Sequence, residues 1–389
     1  MSWPLVKLGD VAPSKPIKKP AVKNPNEVWQ LNLDMVESQT GKVISKVIAP
    51  VSDAGTSTHW FDERYVLYSK LRPYLNKVVL PDTQGLATTE LVPMLPDAER
   101  LDRSYLVHYL RSNRFVSWIN EQVAGAKMPR VSMKIFWEHE ISLPPLDEQK
   151  RIAAILDKAD AIRRKRQQAI NLADDFLRSV FLDMFGDPVT NPKGWEVKKL
   201  VQLCGVGSSK RVFVDDFVDS GIPFYRGTEV GKLGEGKSIE PSLFISPQHY
   251  SELKEHGGVP KVGDLLLPSI CPDGRIWRVE HEHPFYFKDG RVLWIKSGDS
   301  DVNSDYLRSL LQRIFFANYS QIASGTTFAE LKIVALKNLD ILVPPMDKQI
   351  EFSNVMRKTM ANIETLNLAK KQAEEMFNSS SQKAFAGEL

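Results

Sequence analysis

Cysteine and long apolar runs are scarce in this chain of 389 residues. The two cysteines, Cys204 and Cys271, show no C-x-x-C spacing, which excludes a disulfide framework and indicates reduced thiols that act as small apolar residues. No apolar run approaches the ~18 residues that a membrane-spanning helix needs. The segment from Met1 to Pro20 lacks the apolar region of a secretory leader. We therefore expect a cytoplasmic protein without a membrane segment.

Catalytic motifs are also missing. Gly231 to Ser238 matches the pattern of a phosphate-binding loop. Pro241 would break the helix that must follow such a loop, and we interpret the stretch as a glycine-rich turn between strands. The sequence has no tetrapeptide for amino-group methylation, no other glycine-rich cofactor loop and no catalytic triad.

Metal-binding patterns are equally weak. His281 and His283 would point to opposite faces of a strand. The Glu-x-Lys pairs that begin at Glu252 and Glu330 lack the second carboxylate with which a metal-dependent nuclease holds its ion. We therefore predict a non-catalytic chain that binds no metal and no cofactor of its own.

What the chain does have is a long internal repeat. Leu143 to Phe185 opens with Leu-Pro-Pro-Leu-Asp-Glu-Gln and then contains no glycine or proline, which predicts one long helix with Asp147 as its cap. The same kind of start, Pro-Pro-Met-Asp-Lys-Gln, returns 200 residues later at Pro344. A long period that occurs twice indicates two copies of a unit made of one domain and one helix.

Apolar residues at a spacing of three and four run along both helices. An amphipathic helix packed on a domain would show a similar pattern, and the duplicated helix favours a coiled coil instead. Arg166 lies on the same row, where a polar side chain can set the register. The predicted seam consists of Ile152, Ile155, Ile162, Phe176, Val180, Phe352, Val355, Leu366 and Met376.

The stretch before each helix is predicted to be a mixed α/β domain. A helix is predicted over Asp102 to Val123 in the first domain and from about Asn303 to Ile322 in the second. The predicted strands of the first domain are Val28 to Leu33, Val43 to Ile48, Tyr65 to Tyr68, Val78 to Leu80 and Leu86 to Met94.

The predicted fold class is therefore α+β with a pseudo-two-fold internal repeat. Two homologous α/β domains are separated by two long helices that form an antiparallel coiled coil. The predicted segments are 1–142 for the first domain, 143–186 for the central helix, 187–342 for the second domain and 343–389 for the distal helix.

The loops of the two domains differ more than their scaffolds do. Ser-Lys-Leu-Arg-Pro-Tyr at 69–74 corresponds to Pro-Ser-Ile-Cys-Pro-Asp at 268–273. If both domains bound the same ligand, their loops should agree as well as their helices do. We infer that the two domains have different targets.

A basic run, Arg163, Arg164 and Lys165, lies in the central helix. Such a run is commonly a solvated face, but these three side chains can lie away from the seam, where they could meet phosphate or an acidic partner. We predict this run as a partner-docking face. The formal net charge of +3 permits nucleic-acid binding without establishing it.

The alternation of domain and duplicated helix resembles the specificity subunit of type I restriction-modification systems over essentially the full chain. The residues that carry the resemblance are Leu143 to Gln149, Phe185 to Pro188 and Val343 to Gln349. It implies two target recognition domains, each of which reads one half of a split DNA sequence. It also implies that the helices dock other subunits and that this non-catalytic chain serves defence against phage.

The resemblance also implies the partners. They would be double-stranded DNA, two modification (methyltransferase) subunits and restriction (helicase-nuclease) subunits. S-adenosylmethionine, ATP and Mg would be used by those subunits. Helices of about 38 residues would be ~57 Å long and could hold the two domains apart along the duplex. Because both domains should approach the DNA from one side, we predict half-sites centred ~10 base pairs apart.

In such a subunit the residues that read bases are expected to be cationic or polar side chains on loops. Each of them could also be an ordinary solvated side chain. In the first domain they are Lys70, Arg72, Tyr74, Lys127 and Arg130. In the second domain they are Arg226, Lys237, Arg275, Arg278, Thr326 and Thr327.

Three other interpretations stay open. The chain could be the specificity subunit of a related defence system. It could be a P-loop NTPase that uses Lys237, in which case ATP hydrolysis would disappear in Lys237→Ala. It could also be a coiled-coil scaffold that binds protein without preferring any duplex.

Overall fold

The computed structural model describes residues 3–18, 20–124, 128–325 and 329–388. The chain forms two compact units, the first from residues 1–169 and 366–389 and the second from residues 170–365. Each unit contains one mixed α/β domain and a part of both long helices. The predicted α+β fold with two long helices is confirmed. None of the helices in the described ranges has the length and apolar character needed to cross a membrane.

Short strands dominate the domain of the first unit. In chain order they are β1 (Leu5–Lys7), β2 (Val28–Leu31), β3 (Val47–Ala49), β4 (Thr58–Phe61), β5 (Val66–Ser69), β6 (Val78–Val79), β7 (Gly85–Thr88), β8 (Leu91–Met94), β9 (Val123–Ala124), β10 (Arg130–Val131) and β11 (Glu140–Ser142). The helices are α1 (Leu8–Val11), α2 (Arg103–Arg111), α3 (Asn113–Glu121), α4 (Met133–Glu138) and α5 (Leu146–Phe185).

The strands of the first unit form several small sheets. A four-stranded sheet has the order β3-β2-β7-β4, in which only the β2–β7 pair is parallel. A three-stranded antiparallel sheet has the order β6-β5-β8. The pairs β1–β11 and β9–β10 complete the unit, and the second of these lies beside the end of β5, where Leu71 bridges Arg130.

The predicted helix over Asp102 to Val123 is wrong in one respect, because it is two helices. Ser112 leaves the helical conformation with a ψ of 144°. Its hydroxyl accepts a hydrogen bond from the Phe115 N–H at 3.3 Å and so caps α3. A serine in a helical pattern can start a new helix in this way because its side chain replaces a missing backbone acceptor.

The second unit repeats this plan with similarly short strands of two to five residues and with additional helices. Its strands are β12 (Glu196–Lys199), β13 (Gly205–Gly207), β14 (Phe217–Val218), β15 (Ile222–Tyr225), β16 (Phe244–Ile245), β17 (Leu265–Pro268), β18 (Trp277–Arg278), β19 (Tyr286–Phe287), β20 (Val292–Lys296) and β21 (Asp340–Val343). Its helices are α6 (Leu200–Leu203), α7 (Gly227–Gly234), α8 (Pro247–Gly257), α9 (Ser304–Ile322), α10 (Ile333–Lys337) and α11 (Met346–Ala386).

Strand pairing makes the internal repeat visible. The pair β12–β21 corresponds to β1–β11, and both pairs are antiparallel. Four-stranded sheets have the orders β13-β20-β17-β18 and β14-β16-β15-β19. Within the first of these, the β17–β20 pair corresponds to β5–β8.

The glycine-rich stretch from Gly231 to Ser238 is not the turn between strands that the sequence suggested. Its first four residues are the last turn of α7. A Cβ added at Gly234 would lie 2.8 Å from the carbonyl carbon of Arg275, so glycine is needed where this helix packs closely on the following loop. A helix that ends here cannot be the phosphate-binding loop before a helix.

Both long helices start in the same way, although Asp147 is not the cap. The α5 helix begins at Leu146, so Asp147 lies within its first turn. The fully buried Gln149 side chain donates from Nε2 to the Arg100 and Pro144 carbonyls at 2.8 Å, and its Oε1 accepts from the Asp102 N–H at 2.8 Å.

Gln349 repeats this arrangement at the start of α11. Its Nε2 donates to the Pro344 carbonyl at 2.8 Å and its Oε1 accepts from the Asn303 N–H at 2.9 Å. Asp102 and Asn303 in turn cap α2 and α9. The repeated Pro-Pro-x-x-x-Gln motif therefore ties the start of each long helix to the start of a domain helix.

Each core takes in side chains from both long helices. In the first unit, the Phe385 ring of α11 lies 5.4 Å from the Tyr105 ring. In the second unit, Phe181 and Phe185 of α5 lie 5.4 and 5.6 Å from the ring of Phe352 in α11. Cys204 and Cys271 are buried in the second core, and burial raises the pKa of each thiol to about 12.

The predicted seam needs correction. Ile152 and Phe352 are buried, whereas Ile162, Phe176 and Met376 are 46%, 50% and 67% exposed and do not belong to a buried row. An α-helix has 3.6 residues per turn, so a row with a spacing of 3.5 drifts by ~20° per heptad. The remaining predicted seam residues, Ile155, Val180, Val355 and Leu366, are half-buried.

Within the first unit the two long helices contact each other directly. Arg166 donates from Nη1 to the Ala369 carbonyl of α11. Arg166, the polar residue on the predicted row, is therefore a contact between the two helices.

Candidate nucleic-acid interface

Two loops of the first domain meet at the end of β5. The Lys70 carbonyl accepts from the Val131 N–H at 2.9 Å, and the Arg72 N–H donates to the Pro129 carbonyl at 2.8 Å. These bonds bring the segment 70–74 close to Arg130, and the backbone of Lys70 also bonds to Glu90. We call Lys70, Arg72, Tyr74, Glu90 and Arg130 the first loop cluster. Four residues predicted from separate parts of the sequence thus share one surface.

The backbone of this cluster is held in an unusual conformation. Arg72 and Asn76 both have a φ of 50°, which costs an L-residue ~1–2 kcal/mol. The conformation is held by Gln39, whose Nε2 donates to the Tyr74 carbonyl at 2.9 Å, and by Asn76, whose Nδ2 donates to the Arg111 carbonyl at 3.1 Å. Such strain is typical of functional loops, whose side chains must be presented in one orientation.

The side chains of the first loop cluster supply hydrogen-bond donors at the surface. Arg72 is exposed, and Tyr74 is 47% exposed. The Arg130 side chain is 51% exposed and its Nη2 lies 3.2 Å from Glu90 Oε1. Lys70 is half-buried; burial lowers the pKa of nearby His59, and the charge of Lys70 lowers it further. Lys127 lies outside the described residues.

The second domain has the same scaffold with different side chains. The Ser269 carbonyl accepts from the Leu331 N–H at 2.7 Å, and the Ser269 N–H donates to the Arg291 carbonyl at 2.9 Å. In the first domain the Lys70 N–H donates to the Glu90 carbonyl at 3.0 Å.

This matching of backbone bonds assigns the counterparts. Ser269 corresponds to Lys70, Arg291 to Glu90, and Glu330, which precedes Leu331, to Arg130. We call Ser269, Arg291 and Glu330 the second loop cluster. Neither Arg291 nor Glu330 was predicted to contact DNA, although comparison of the two halves of the sequence in register would have drawn attention to both.

Three of the cations predicted to contact DNA in the second domain form ion pairs with nearby glutamates. Lys237 and Arg275 both face Glu235, at 2.5 and 3.6 Å. Arg226 pairs with Glu229 at 2.8 Å. Thr326 and Thr327 lie outside the described residues.

Arg278 is a correction to the predicted set. Its side chain is 19% exposed and its Nε lies 3.1 Å from Oδ1 of the buried Asp305. Asp305 also accepts from Ser353 Oγ at 2.6 Å and Arg357 Nε at 2.8 Å. A buried carboxylate requires such partners, so Arg278 stabilises the second unit and is not available to a base.

The predicted docking run is partly engaged within the first unit. Arg163 pairs with Asp160 at 2.5 Å, and its guanidinium lies 5.2 Å from the centre of the Phe377 ring. Arg164 lies 3.3 Å from the same aspartate but is 53% exposed. Lys165 is exposed. Arg164 and Lys165 therefore remain the candidates for a partner surface.

The weaker motifs have structural explanations. Glu330 pairs with Lys332 at 2.5 Å, and Glu252 accepts from Gln248 at 3.2 Å. The prediction that His281 and His283 point to opposite faces of a strand is wrong, because their rings lie 5.4 Å apart in a loop, and the His281 ring lies 5.9 Å from the Phe285 ring. Across the ranges that the structure describes, no three His, Cys, Asp or Glu side chains converge as a metal site.

Comparison with known proteins agrees with this arrangement. Residues 76–172 match the family model described as "Type I restriction modification DNA specificity domain". A Haemophilus influenzae protein provisionally named a type I restriction enzyme specificity subunit is 27% identical over 72% of this chain and 71% of its own length. The MjaVIII specificity subunit of Methanocaldococcus jannaschii is 24% identical over 77% of this chain and 72% of its own length.

Solved structures share the fold. The S subunit of a type I restriction-modification system from M. genitalium has a TM-score of 0.59 at 13% identity and covers 99% of this chain and 96% of its own. A chain from a study of type I complex assembly has a TM-score of 0.58 at 19% identity and covers 100% of this chain and 98% of its own. In its duplicated domain and helix the chain is therefore similar to type I restriction-modification specificity subunits, and residues 76–172 match the domain model of that family.

Proposed function

We propose that this chain is the DNA-specificity subunit of a type I restriction-modification complex. It binds double-stranded DNA and reads a bipartite target, with one domain for each half-site. The observation that carries this proposal is the pair of loop clusters, which share two corresponding backbone hydrogen bonds but have unlike side chains. A duplicated scaffold with divergent side chains is what a reader of two different half-sites requires.

The chemistry of the first loop cluster suits a base-reading surface. A guanidinium offers several N–H donors that can bond guanine O6 and N7 in the major groove, and lysine ammonium groups can neutralise phosphates. Arg72 and Arg130 present such guanidinium groups on a backbone held by bonds from neighbouring segments. Little rearrangement would be needed on binding, which lowers the entropic cost of association.

The chain would work through other subunits. We assign DNA methylation to two modification subunits and cleavage to restriction subunits, and we assign S-adenosylmethionine, ATP and Mg to those subunits. The exposed side chains of Arg164 and Lys165 are candidate contacts for the modification subunits. A cytoplasmic location, where the chromosome is methylated, follows from this role.

The proposal is tested by selection from a pool of random-sequence duplexes. The full chain, together with the modification subunits that copurify with it, is mixed with the pool and the bound duplexes are sequenced. We expect two short specified blocks separated by an unspecified spacer of constant length. Absence of any enriched sequence would favour a protein-binding scaffold, and ATP hydrolysis that is lost in Lys237→Ala would favour an NTPase.

Substitution in the first loop cluster should affect one block. We expect Arg72→Ala to weaken selection of one block by roughly 10-fold, because a bidentate base contact contributes about 1–3 kcal/mol of discrimination. Arg64→Ala is the matched control, since Arg64 is a 64% exposed arginine paired with Asp62 before the start of β5, away from the loop cluster. Equal effects of the two substitutions would argue against a specific role for Arg72.

A further inference from the structure

The two loop clusters contain the same kind of ion pair with its charges exchanged. In the first domain Arg130 Nη2 lies 3.2 Å from Glu90 Oε1. In the second domain Arg291 Nη1 lies 3.2 Å from Glu330 Oε1. The backbone bonds make Glu90 the counterpart of Arg291 and Arg130 the counterpart of Glu330. The acid and the base have therefore changed places within one scaffold.

The exposed fractions of these four side chains show that the arginine faces outward in both domains, although the two charges have changed places. The Arg130 and Arg291 side chains are 51% and 65% exposed, whereas those of Glu90 and Glu330 are 23% and 21% exposed. In both domains a half-buried carboxylate lies beneath an outward guanidinium. What differs is the segment that carries the guanidinium, which is β10 in the first domain and the residue before β20 in the second.

The carboxylate of the second domain is well supported. Lys332 Nζ lies 2.5 Å from Glu330 Oε2, while Arg291 approaches Oε1. Hydrogen bonds from Lys332 and Ser269, together with the charges of Lys332 and Arg291, lower the pKa of Glu330 below its ordinary value. Glu330 is therefore ionised at neutral pH and can orient Arg291.

We propose that Arg291 is a base-reading residue of the second domain and that Glu330 orients it. Arg291 has the role that Arg130 has in the first domain, but it is carried by the other of the two paired segments. This inference rests on the proposed function. A guanidinium that gives one edge to a carboxylate keeps other N–H donors for guanine O6 and N7. Moving that guanidinium from one segment to another changes which base edge it can reach, so one scaffold can serve two half-sites.

Lysine and alanine substitutions separate base reading from phosphate contact. Arg291→Lys keeps a positive charge but loses the planar fork that a bidentate contact needs. Arg291→Lys is tested in the duplex-selection experiment with the full chain and its copurifying subunits. We expect it to reduce the base preference at one position by roughly 10-fold, in the block that Arg72→Ala leaves intact. The other block and the salt dependence of binding should be unchanged. Glu330→Gln should reduce the same preference by a smaller factor.

The control is Lys261→Ala. Lys261 is a 65% exposed cation of the second unit that pairs with Asp299, and it precedes the start of β17, whereas the second loop cluster begins after the end of β17. It should leave both blocks unchanged. Because Arg291 is exposed, Arg291→Lys and Lys261→Ala should also leave the unfolding temperature unchanged, which shows that a lost preference is not a folding defect.

Three results are distinguishable. If the natural chain enriches no sequence, the proposed function fails. If the natural chain enriches two blocks and Arg291→Lys enriches the same two with equal preference, the role of Arg291 is refuted while the function stands. If Arg291→Ala weakens binding to all duplexes equally and lowers the salt dependence by about one phosphate contact, Arg291 contacts only the backbone and the proposal is overturned.

Discussion

At the scale of single residues, the surroundings of a side chain decide its role more than its type does. Arg130 and Arg278 were both predicted to contact DNA. Arg130 is half exposed above a carboxylate, whereas Arg278 is held against the buried Asp305. The sequence offers no signal for this difference, because Asp305 lies in a helix that is brought to Arg278 only by folding.

His139 allows a prediction about pH. Its Nε2 lies 2.9 Å from the Tyr109 hydroxyl and its ring centre 3.8 Å from that of Trp118. Burial, with a smaller contribution from the charge of Arg114, lowers its pKa from 6.5 to about 4. The stability that follows from this shift is fully present above pH 6.5 and is lost as the pH falls towards 4, because the unfolded chain binds the proton first.

We therefore expect the free energy of unfolding to decrease as the pH falls from 6.5 to 5, a range in which carboxylates contribute less. This decrease should be smaller in His139→Gln. Urea denaturation at several pH values measures it. His256→Gln, which changes an exposed histidine of the second unit, is the control. An unaltered pH profile in His139→Gln would contradict the prediction.

At the scale of secondary structure, the long helices were predictable and the domain helices were less so. A run without glycine or proline after a Pro-Pro pair specifies a helix locally. The break at Ser112 and the helical character of Gly227 to Gly234 were missed, because a side-chain cap and a close helix-to-loop contact depend on neighbours. The buried Gln149 and Gln349 were part of the recognised motif, but their hydrogen bonds to α2 and α9 required the structure.

The Gln149 contacts can be tested directly. Gln149→Leu preserves volume but leaves the Asp102 N–H and two carbonyl groups without their partner. Because an unsatisfied buried polar group costs about 1–3 kcal/mol, we expect a loss of ~2–4 kcal/mol of stability in the first unit and faster amide exchange at Asp102. Gln168→Leu, at an exposed position of the same helix, should change neither. Unaltered exchange at Asp102 would show that these bonds are dispensable.

At the scale of the whole molecule, duplication explains why the two halves share a scaffold but differ in their loops. The repeated elements are the strand pairs β1–β11 and β12–β21 and the two long helices, and they differ little between the halves. The loop clusters share two corresponding backbone hydrogen bonds but have exchanged charges. The scaffold is thus constrained by packing, while the exposed loops are free to diverge.

The length of the long helices should set the spacing of the half-sites. Inserting seven residues between Ala169 and Ile170 and another seven between Thr365 and Leu366 adds ~10 Å to each helix at 1.5 Å per residue. We expect the selected spacer to grow by about 3 base pairs at 3.4 Å per step. A seven-residue insertion after Gly55, which lies in open space, is the control and should leave the spacer as it was. A constant spacer in the double insertion would refute the proposed role of helix length.

The sequence by itself determined the repeat, the starts of the long helices and the resemblance to type I specificity subunits, because these depend on local signals and on the comparison of two halves of one chain. Only the tertiary structure decided which cations face solvent. Lys70 and Arg130 are 60 positions apart in the chain, and Arg291 and Glu330 are 39 apart. Ion pairs and loop contacts between such residues form only when the strands that carry them pair. The chemistry of the two loop clusters is therefore a property of the fold.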